Sequence, residues 1–427
     1  MQISYRTYKI ATILCAPAIY IWLKIRQYKG KEDKNRVGER LGNYKIKRPK
    51  GVLLWMHAAS VGEVNSVLLL IEKINAEFPD VKILLTTGTV TSAQLVKKRL
   101  PNVLHQFVPV DTDEATNKFL RHFRPDIGFW IESELWPNLV MNARARGCFM
   151  VIINGRMSEK SYNMWQKYAT LMIFDMLNCF SVVFAQTPLD SQRFKALGAQ
   201  DSIYPGNLKY DSSVLPCLES ELAAMKKQIG ERPVWLAAST HNNEEEQIAA
   251  ACAPLIKKYS DIVTIIAPRH PQRGEEIAKT ISAYGKVSLR SRGDKIEADT
   301  NFYIADTLGE LGLFYRLCEV VFMGGSLIEH GGQNPLEPAR LRCCIITGTH
   351  TKNFLDMYNE MEELKICVRV KNATELTEQV ATLIKDSDRI TDTLIATKEW
   401  LNTKTGAIER IIKTLAPIFT PVTLEKE

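Results

Sequence analysis

The chain has 427 residues, of which 45% are hydrophobic and 24% are charged. This globular composition excludes a disordered chain, a collagen-like repeat and a polytopic membrane bundle, and the length predicts two or three domains. The net charge of +7 is uneven, because residues 1–50 hold 13 Lys and Arg against 3 Asp and Glu, so the remaining chain carries −3. A basic surplus confined to one end does not predict nucleic-acid binding across the fold.

The nine cysteines are odd in number and scattered, and the chain contains no C-x-x-C pair. The pattern therefore predicts neither a disulfide framework nor a zinc ribbon, and it favours a reducing compartment. Asp111-Thr112-Asp113 matches a D-x-D metal motif, but it precedes a helix, where acidic caps are common. No metal site is predicted.

The amino terminus contains an apolar run, IATILCAPAIYIWL over residues 10–23, followed by six basic residues between 24 and 36. As one helix the run would be ~21 Å long, shorter than a hydrocarbon core of ~30 Å. A membrane anchor, a signal peptide and an ordinary buried helix are the open interpretations. The basic sequence after the run disfavours a signal peptide, which needs a small-residue cleavage site. It favours the anchor, because basic residues attract anionic lipid and stay on the cytoplasmic side.

Beyond residue 51, short apolar segments alternate with amphipathic helical stretches. Each segment is almost continuously apolar, which is typical of strands in a parallel sheet that is covered on both faces. The predicted strands are 51–57, 81–87, 103–110, 126–132, 149–154 and 181–186, and then 233–239, 261–268, 286–290, 301–305, 319–325, 343–348 and 366–370. They predict the α/β class, with two Rossmann-like doubly wound parallel-sheet domains and a helical tail. Ligands bind beyond the carboxyl ends of such strands, so the expected site is a cleft that the two domains face.

The densest polar motif is HAASVGEV, residues 57–64, at the end of the first strand. Gly62 and Glu63 would lie at a helix start, where free N–H groups favour an anion and glycine permits a close approach. The spacing of Ser60 and Glu63 equally fits an S-x-x-E capping box. Catalysis and helix capping both remain open for Glu63.

Two further motifs follow strands of the first half. IESELWPN places Glu132 and Glu134 after a strand, where carboxylates either polarise a substrate or cap the next helix. In GNLKYD, Lys209 is either a cation that neutralises a leaving phosphate or a solvated lysine.

In the second half, APRHP ends a strand with Arg269 and His270, residue types that bind phosphate through charge-assisted hydrogen bonds. GGSLIEHGGQNPLEPA, residues 324–339, combines four glycines with a helix start at Asn334-Pro335, which predicts a phosphate cradle with Glu337 available to a ribose hydroxyl. TLGEL, residues 307–311, either adds backbone contacts to the same ligand or is a plain turn. Walker A and G-x-G-x-x-G motifs are absent from the sequence, which disfavours nucleotide hydrolysis and nicotinamide chemistry.

These motifs, taken in order with STH at 239–241, resemble those of the Kdo transferases of Gram-negative bacteria, the 3-deoxy-D-manno-octulosonic acid transferases. The resemblance covers nearly the whole chain. It implies a GT-B glycosyltransferase on the cytoplasmic face of the inner membrane that moves Kdo from CMP-Kdo to a lipid A precursor. It assigns residues 1–50 to a membrane anchor with a basic flank, 51–215 to the acceptor domain, and 216–427 to the CMP-Kdo donor domain with a helical tail.

The resemblance also implies roles for single residues. Glu63 corresponds to the general base of an inverting transfer, and Glu132 and Lys209 correspond to transition-state stabilisers. The implied CMP contacts are Pro268, Arg269, Leu308, Gly309, Glu310, Asn334, Pro335, Leu336 and Glu337. The chain departs from the family pattern at Asn242-Asn243, where an acidic residue and glycine are common, and at Leu308, where Met is usual.

We expect no cofactor and no obligatory divalent metal, because Arg269, Lys209 and the helix at Pro335 would stabilise the leaving phosphate. A GT-B transferase that uses a UDP- or GDP-sugar is one alternative. The other is a non-catalytic membrane protein that only binds a phosphorylated lipid, although it would leave the glycine-rich segment 324–337 unexplained.

Overall fold

The computed structural model describes residues 2–211 and 214–424. These residues form two compact units. The first contains the chain up to 211 together with the segment from 404 onward, and the second contains residues 214 to 403.

Each unit contains a parallel sheet of seven strands. The strands are β1 Leu53–His57, β2 Lys82–Thr87, β3 Leu104–Phe107, β4 Ile127–Ile131, β5 Phe149–Gly155, β6 Val182–Ala185, β7 Ser202–Ile203, β8 Val234–Thr240, β9 Val263–Pro268, β10 Val287–Leu289, β11 Phe302–Ile304, β12 Val320–Met323, β13 Cys344–Thr347 and β14 Cys367–Arg369. The strand orders are β3-β2-β1-β4-β5-β6-β7 and β10-β11-β9-β8-β12-β13-β14. The prediction of two parallel-sheet α/β domains is confirmed, and every predicted strand is present; the two-residue edge strand β7 was not predicted.

The helices before residue 211 are α1 Tyr5–Leu14, α2 Ala16–Tyr28, α3 Val37–Arg40, α4 Val61–Glu77, α5 Val90–Arg99, α6 Asp113–Phe123, α7 Pro137–Ala145, α8 Glu159–Tyr168, α9 Thr170–Leu177 and α10 Pro188–Ala196. Those that follow are α11 Glu219–Ile229, α12 Glu245–Lys258, α13 Gly274–Ile281, α14 Leu311–Leu317, α15 Leu336–Arg340, α16 Leu355–Glu363, α17 Ala373–Lys385, α18 Ser387–Lys404 and α19 Ala407–Leu424. Short 3₁₀ turns occur at Leu208–Asp211, Pro271–Arg273, Arg290–Arg292 and Lys352–Phe354.

The strand sequences cover both faces of the first sheet. Leu54 and Met56 of β1 belong to one buried cluster, and Leu53 and Trp55 belong to another. Successive side chains of a strand point to opposite faces, so a continuous apolar run supplies two cores at once. This arrangement places the polar residues after β1 and β4, two adjacent central strands, at the carboxyl edge of the sheet, where the strand order reverses.

The carboxy-terminal helix α19 packs on the first unit, although the sequence pattern assigned the whole tail to the second. Its residues Ile411, Leu415 and Phe419 are buried in the core cluster that contains β1 and α4. The Asp211 carboxylate accepts the N–H groups of Gly406 and Ile408, each at 2.7 Å, and so fixes the start of the helix. The predicted assignment of the tail to the second domain is therefore wrong for residues 404–424.

The apolar run at the amino terminus is divided into α1 and α2, which the sequence treated as one helix. Pro17 near the start of α2 explains the break, because its ring obstructs the carbonyl four residues earlier. Among the described residues, no one helix has the length and hydropathy of a membrane span; α1 and α2 meet that test only as a pair bent by 63°. The buried-helix interpretation is wrong, since α1 has no buried residue and α2 has only Leu23. The anchor stays a prediction.

Candidate active site

Glu63 lies in the first turn of α4, directly after β1. The Ser60 hydroxyl accepts the Glu63 N–H at 3.3 Å and donates to Glu63 Oε1 at 3.0 Å, while Oε2 accepts the Ala59 N–H at 2.7 Å. The capping role predicted from the sequence is therefore confirmed. It does not exclude catalysis, because the same contacts hold the carboxyl group in one orientation.

The environment of Glu63 shifts its titration. The residue is 8% exposed, and burial raises the pKa of its carboxyl group to about 7, against the lowering effect of the bonds from Ala59 and Ser60. The negative charges of Glu132 and Glu134 raise the pKa further. A carboxyl group with a pKa near neutrality can take up a proton during a reaction and release it afterwards.

Glu132 and Lys209 form an ion pair within the same unit. Glu132 follows β4, and Lys209 lies in the 3₁₀ turn Leu208–Asp211; the Lys209 Nζ to Glu132 Oε1 distance is 3.0 Å. Glu132 has a backbone φ of 59°, in the left-handed region that residues other than glycine seldom adopt. Such backbone conformations are enriched at functional sites. The structure thus brings together the three catalytic candidates that the sequence placed in this half.

The alternative roles predicted for these residues were helix capping by Glu132 or Glu134 and a solvated Lys209. The helix α7 is not capped by Glu132 or Glu134. Instead the Asp111 carboxylate accepts the N–H groups of Asn138 and Leu139 at 3.1 and 2.8 Å. Lys209 is half-exposed and paired, so it is not simply solvated.

In the second unit, a depression of about 70 Å³ lies at the carboxyl ends of β9 and β11. Its lining includes Pro268, Arg269, Leu308 and Gly309, four of the nine residues implied as CMP contacts. Arg269 is exposed and its charge acts on Glu337, partly opposing the burial that raises the pKa of that carboxyl group. The first residues of α15 are therefore within electrostatic reach of the depression.

The Glu310 side chain, next to the depression, is bound by other side chains of the second unit. Its carboxylate accepts two hydrogen bonds from Arg290, at 2.8 and 2.5 Å, and a third from Thr307. The bonds from Arg290 lower the pKa of Glu310. The TLGEL segment is thus a turn held in place by hydrogen bonds to Glu310. Because the Glu310 carboxylate is already occupied, any contact of this residue with a ligand would come from its backbone.

The glycine-rich segment after β12 only partly fits the predicted phosphate cradle. The N–H groups of Gly325, Ser326 and Leu327 already donate to the buried Glu244 carboxylate, at 2.7, 3.1 and 3.0 Å. Gly324 is required for packing, because a Cβ there would lie 2.5 Å from the Ser239 carbonyl oxygen. For these three amides the phosphate-cradle prediction is wrong.

Further along the same segment, Pro335 is the N-cap of α15 and Asn334 Oδ1 accepts the Leu336 N–H at 3.1 Å. The predicted helix start is therefore present, displaced by one residue.

Sequence reasoning missed the residues that hold these loops. Glu244 follows β8 and organises the segment after β12, while Arg290 follows β10 and fixes Glu310. The available signals were weak: an acidic run directly after a predicted strand, and an arginine at the end of another. Neither signal identifies the partner, which lies 81 residues further along the chain for Glu244 and 20 residues further for Arg290.

Two parallel sheets with polar residues gathered at the carboxyl ends of their central strands define an α/β protein built from two Rossmann-like units. A solved UDP-GlcNAc 2-epimerase from Neisseria meningitidis has this fold: it superposes with a TM-score of 0.53 at 12% identity and covers 85% of this chain and all of that one. Such a likeness shows the fold alone.

Sequence comparisons identify the family. The model of the 3-deoxy-D-manno-octulosonic-acid transferases (kdotransferases) matches residues 35–212. The 3-deoxy-D-manno-octulosonic acid transferase of Rickettsia bellii is 35% identical over 381 residues, 89% of this chain and 90% of the relative. That of Haemophilus influenzae is 30% identical over 426 residues, 96% and 97% of the two chains. The chain belongs to the Kdo transferase family, whose members are glycosyltransferases, and the resemblance found in the motifs is confirmed.

Proposed function

We propose that this protein is a GT-B glycosyltransferase that moves Kdo from CMP-Kdo to a sugar hydroxyl of a lipid A precursor. The observation that carries the proposal is the Glu63 carboxyl group: it is buried at the carboxyl edge of the first sheet, oriented by Ser60 and Ala59, and has a pKa raised to about 7. The family name specifies the transferred sugar, and the motif resemblance supplies CMP as its activating group.

In the proposed reaction, the first unit prepares the acceptor. Glu63 removes the proton from the acceptor hydroxyl while the hydroxyl oxygen attacks the anomeric carbon of Kdo. The bond between that carbon and the phosphate oxygen breaks, and CMP leaves with the electron pair, so the configuration inverts. The ion pair of Lys209 with Glu132 fixes a positive charge in the same unit. General-base catalysis contributes about 10²–10⁴ to such a rate.

The second unit binds the donor in this proposal. Arg269, exposed in the depression lined by Pro268 and Gly309, offers a guanidinium to the phosphate of the nucleotide. Cationic side chains, rather than a divalent metal, would then stabilise the leaving phosphate. Activity that disappears in a chelator and returns with magnesium would contradict this part of the proposal.

We further propose that the protein acts at the cytoplasmic face of the inner membrane. We define the apolar face as five exposed apolar side chains of α1 and α2, namely Ile10, Ile13, Leu14, Ile21 and Trp22. Exposed lysines follow it at 24, 29, 31 and 34. An apolar helix surface beside a basic segment is suited to an anionic lipid surface.

The decisive experiment is incubation of the full chain with CMP-Kdo and a tetraacylated lipid A precursor, followed by mass spectrometry of the lipid. We expect the lipid mass to increase by one or more Kdo units, with CMP released in equal amount. Inhibition by CMP but not by UDP or GDP would separate the proposal from a transferase that uses another nucleotide sugar. Lipid binding without CMP release would overturn the proposal in favour of a non-catalytic protein.

A further inference from the structure

Three histidines from three different loops meet in the second unit. His241 follows β8, His270 follows β9, and His330 follows β12. The ring centroids of His241 and His330 are 3.7 Å apart with the planes tilted by 34°, and those of His241 and His270 are 6.0 Å apart and nearly perpendicular. We call these residues the histidine cluster. Since β8 is paired with both β9 and β12, the cluster lies at the carboxyl ends of three adjacent strands.

The histidine cluster lies near Arg269, whose charge acts on His241, although none of its three residues is part of the lining of the depression. His270 is the next residue in the chain after Arg269, and Ser239, two residues before His241, lines the depression itself. The cluster is also accessible, because His270 and His330 are exposed while His241 is 7% exposed beneath them. A group bound by Arg269 at the edge of the depression would therefore lie near the imidazoles.

His241 is held by one contact of its backbone and one of its ring. Its backbone N–H donates to the Glu244 carboxylate at 3.2 Å, and its Nε2 lies 3.0 Å from the Gln333 Nε2. The Tyr358 hydroxyl in turn donates to the Gln333 carbonyl oxygen at 2.8 Å. The ring is thus held in place before any ligand binds, which reduces the ordering cost of binding.

The charges around His241 favour an anion. The guanidinium groups of Arg269 and Arg273 act on it as positive charges. Two carboxylates of this region are already engaged: Glu244 accepts backbone N–H groups, and Glu245 accepts from Arg273 at 2.9 Å and from Thr240 at 3.1 Å. An anionic group beside Arg269 and His241 would therefore meet a guanidinium and N–H donors.

We propose that the histidine cluster binds the carboxylate of the donor sugar. The inference rests on the proposed function, and it uses the chemistry of a 2-ulosonic acid, in which the carboxylate is bonded directly to the anomeric carbon. That carboxylate must lie next to the glycosyl phosphate. If Arg269 binds the phosphate, the adjoining imidazoles are placed to bind the second anion, and they would select an acidic sugar over a neutral one.

The test compares ligands that carry one anion or the other. Dissociation constants of CMP, CMP-Kdo and free Kdo are measured for the full chain and for the variants His330→Gln, His270→Gln and His241→Gln, together with KM for CMP-Kdo. His350→Gln is the matched control, because His350 lies in the same unit outside the cluster. His330→Gln and His270→Gln alter exposed side chains and avoid the packing changes expected at His241.

We expect CMP to bind the cluster variants as it binds the original chain, which also shows that the second unit is folded. We expect CMP-Kdo and free Kdo to bind roughly tenfold more weakly, the size of effect associated with losing a hydrogen bond to a charged group. The control should change neither. Equal weakening of CMP and CMP-Kdo would assign the cluster to the phosphate and overturn the inference, as would unchanged affinity for all three ligands. If the original chain transfers no Kdo, the proposed function itself fails, whatever the variants show.

Discussion

At the scale of single residues, Glu63 carries both a structural and a proposed chemical role, and two substitutions separate them. In Glu63→Gln the amide oxygen can accept from Ala59 and the amide NH2 can donate to the Ser60 hydroxyl, but the side chain cannot take a proton, whereas Glu63→Ala removes both functions. We expect both variants to lose transfer activity by about 10²–10⁴. Only Glu63→Ala should also lower the free energy of unfolding, by ~1 kcal/mol, because it leaves a cap contact unmade.

Initial rates of transfer and chemical denaturation provide the two readouts. Near-normal activity in Glu63→Gln would refute the general-base role. The raised pKa also has a consequence for stability: ionisation of Glu63 is disfavoured in the folded state, so its contribution to stability is lost as the pH rises through about 7. The Gln variant lacks that pH-dependent loss.

The pH profile gives an independent test at a residue outside the proposed catalytic set. A general base must be ionised, so kcat/KM should rise with pH and level off above about 7. The charge of Glu134 raises the Glu63 pKa. We therefore expect Glu134→Gln to move the acidic limb to lower pH by a fraction of a unit and to leave the plateau unchanged. An unmoved limb would show that another group controls it.

At the scale of elements, the sequence predicts strands well because each strand of a doubly wound sheet is apolar on both faces. Trp55 and Met56 pack on opposite faces, and the continuous run that contains them leaves no other interpretation. The two residues of β7 are too few to show any pattern. Pro17 is a local signal for the helix break at Cys15. The continuous apolar composition of residues 10–23 nevertheless favoured one helix.

Site residues were predictable to a lesser degree, for a physical reason. Glu63 and Glu132 stand next to strand ends and Lys209 follows a Gly-Asn turn, so local pattern makes them candidates, while the family resemblance implied their roles. Glu244 depends on a loop 81 residues further along the chain, and periodicity contains no information on such pairings. The glycine-rich segment likewise indicated an anion, and the anion that three of its amides bind is a carboxylate of the chain itself.

The carboxy-terminal helix offers a prediction about element docking. Asp211 is 9% exposed and accepts two N–H groups at the start of α19, each at 2.7 Å. We expect Asp211→Ala to destabilise the first unit by ~1–2 kcal/mol, the cost of a lost cap with buried donors left unpaired. Chemical denaturation measures the effect. Asp201→Ala is the control, because Asp201 is exposed in the same region; equal effects of the two substitutions would contradict the docking role.

At the scale of the whole molecule, the separation of charge along the chain accounts for the proposed membrane association. The basic surplus belongs to residues 1–50, whereas the body is slightly acidic. Part of the surplus is used within the fold, since Arg26 pairs with the buried Glu32 at 2.7 Å and Arg36 pairs with Glu39 at 2.7 Å. The lysines at 24, 29, 31 and 34 are exposed and remain available to a lipid surface.

Vesicle binding tests this arrangement with a closely matched pair of substitutions. Ile13 on α1 is 52% exposed and Ile395 on α18 is 53% exposed, so replacing either with Glu makes the same change at the same exposure. We expect Ile13→Glu to weaken binding to anionic vesicles at least about tenfold, because inserting an isoleucine gains ~1.5–3 kcal/mol that a carboxylate forfeits. Ile395→Glu should bind like the original chain. Binding of the original chain should also fall as salt is raised, since screening shortens the reach of the lysines. Equal binding to neutral and anionic vesicles, or equal loss in both variants, would show that the amino-terminal helices do not form the membrane contact.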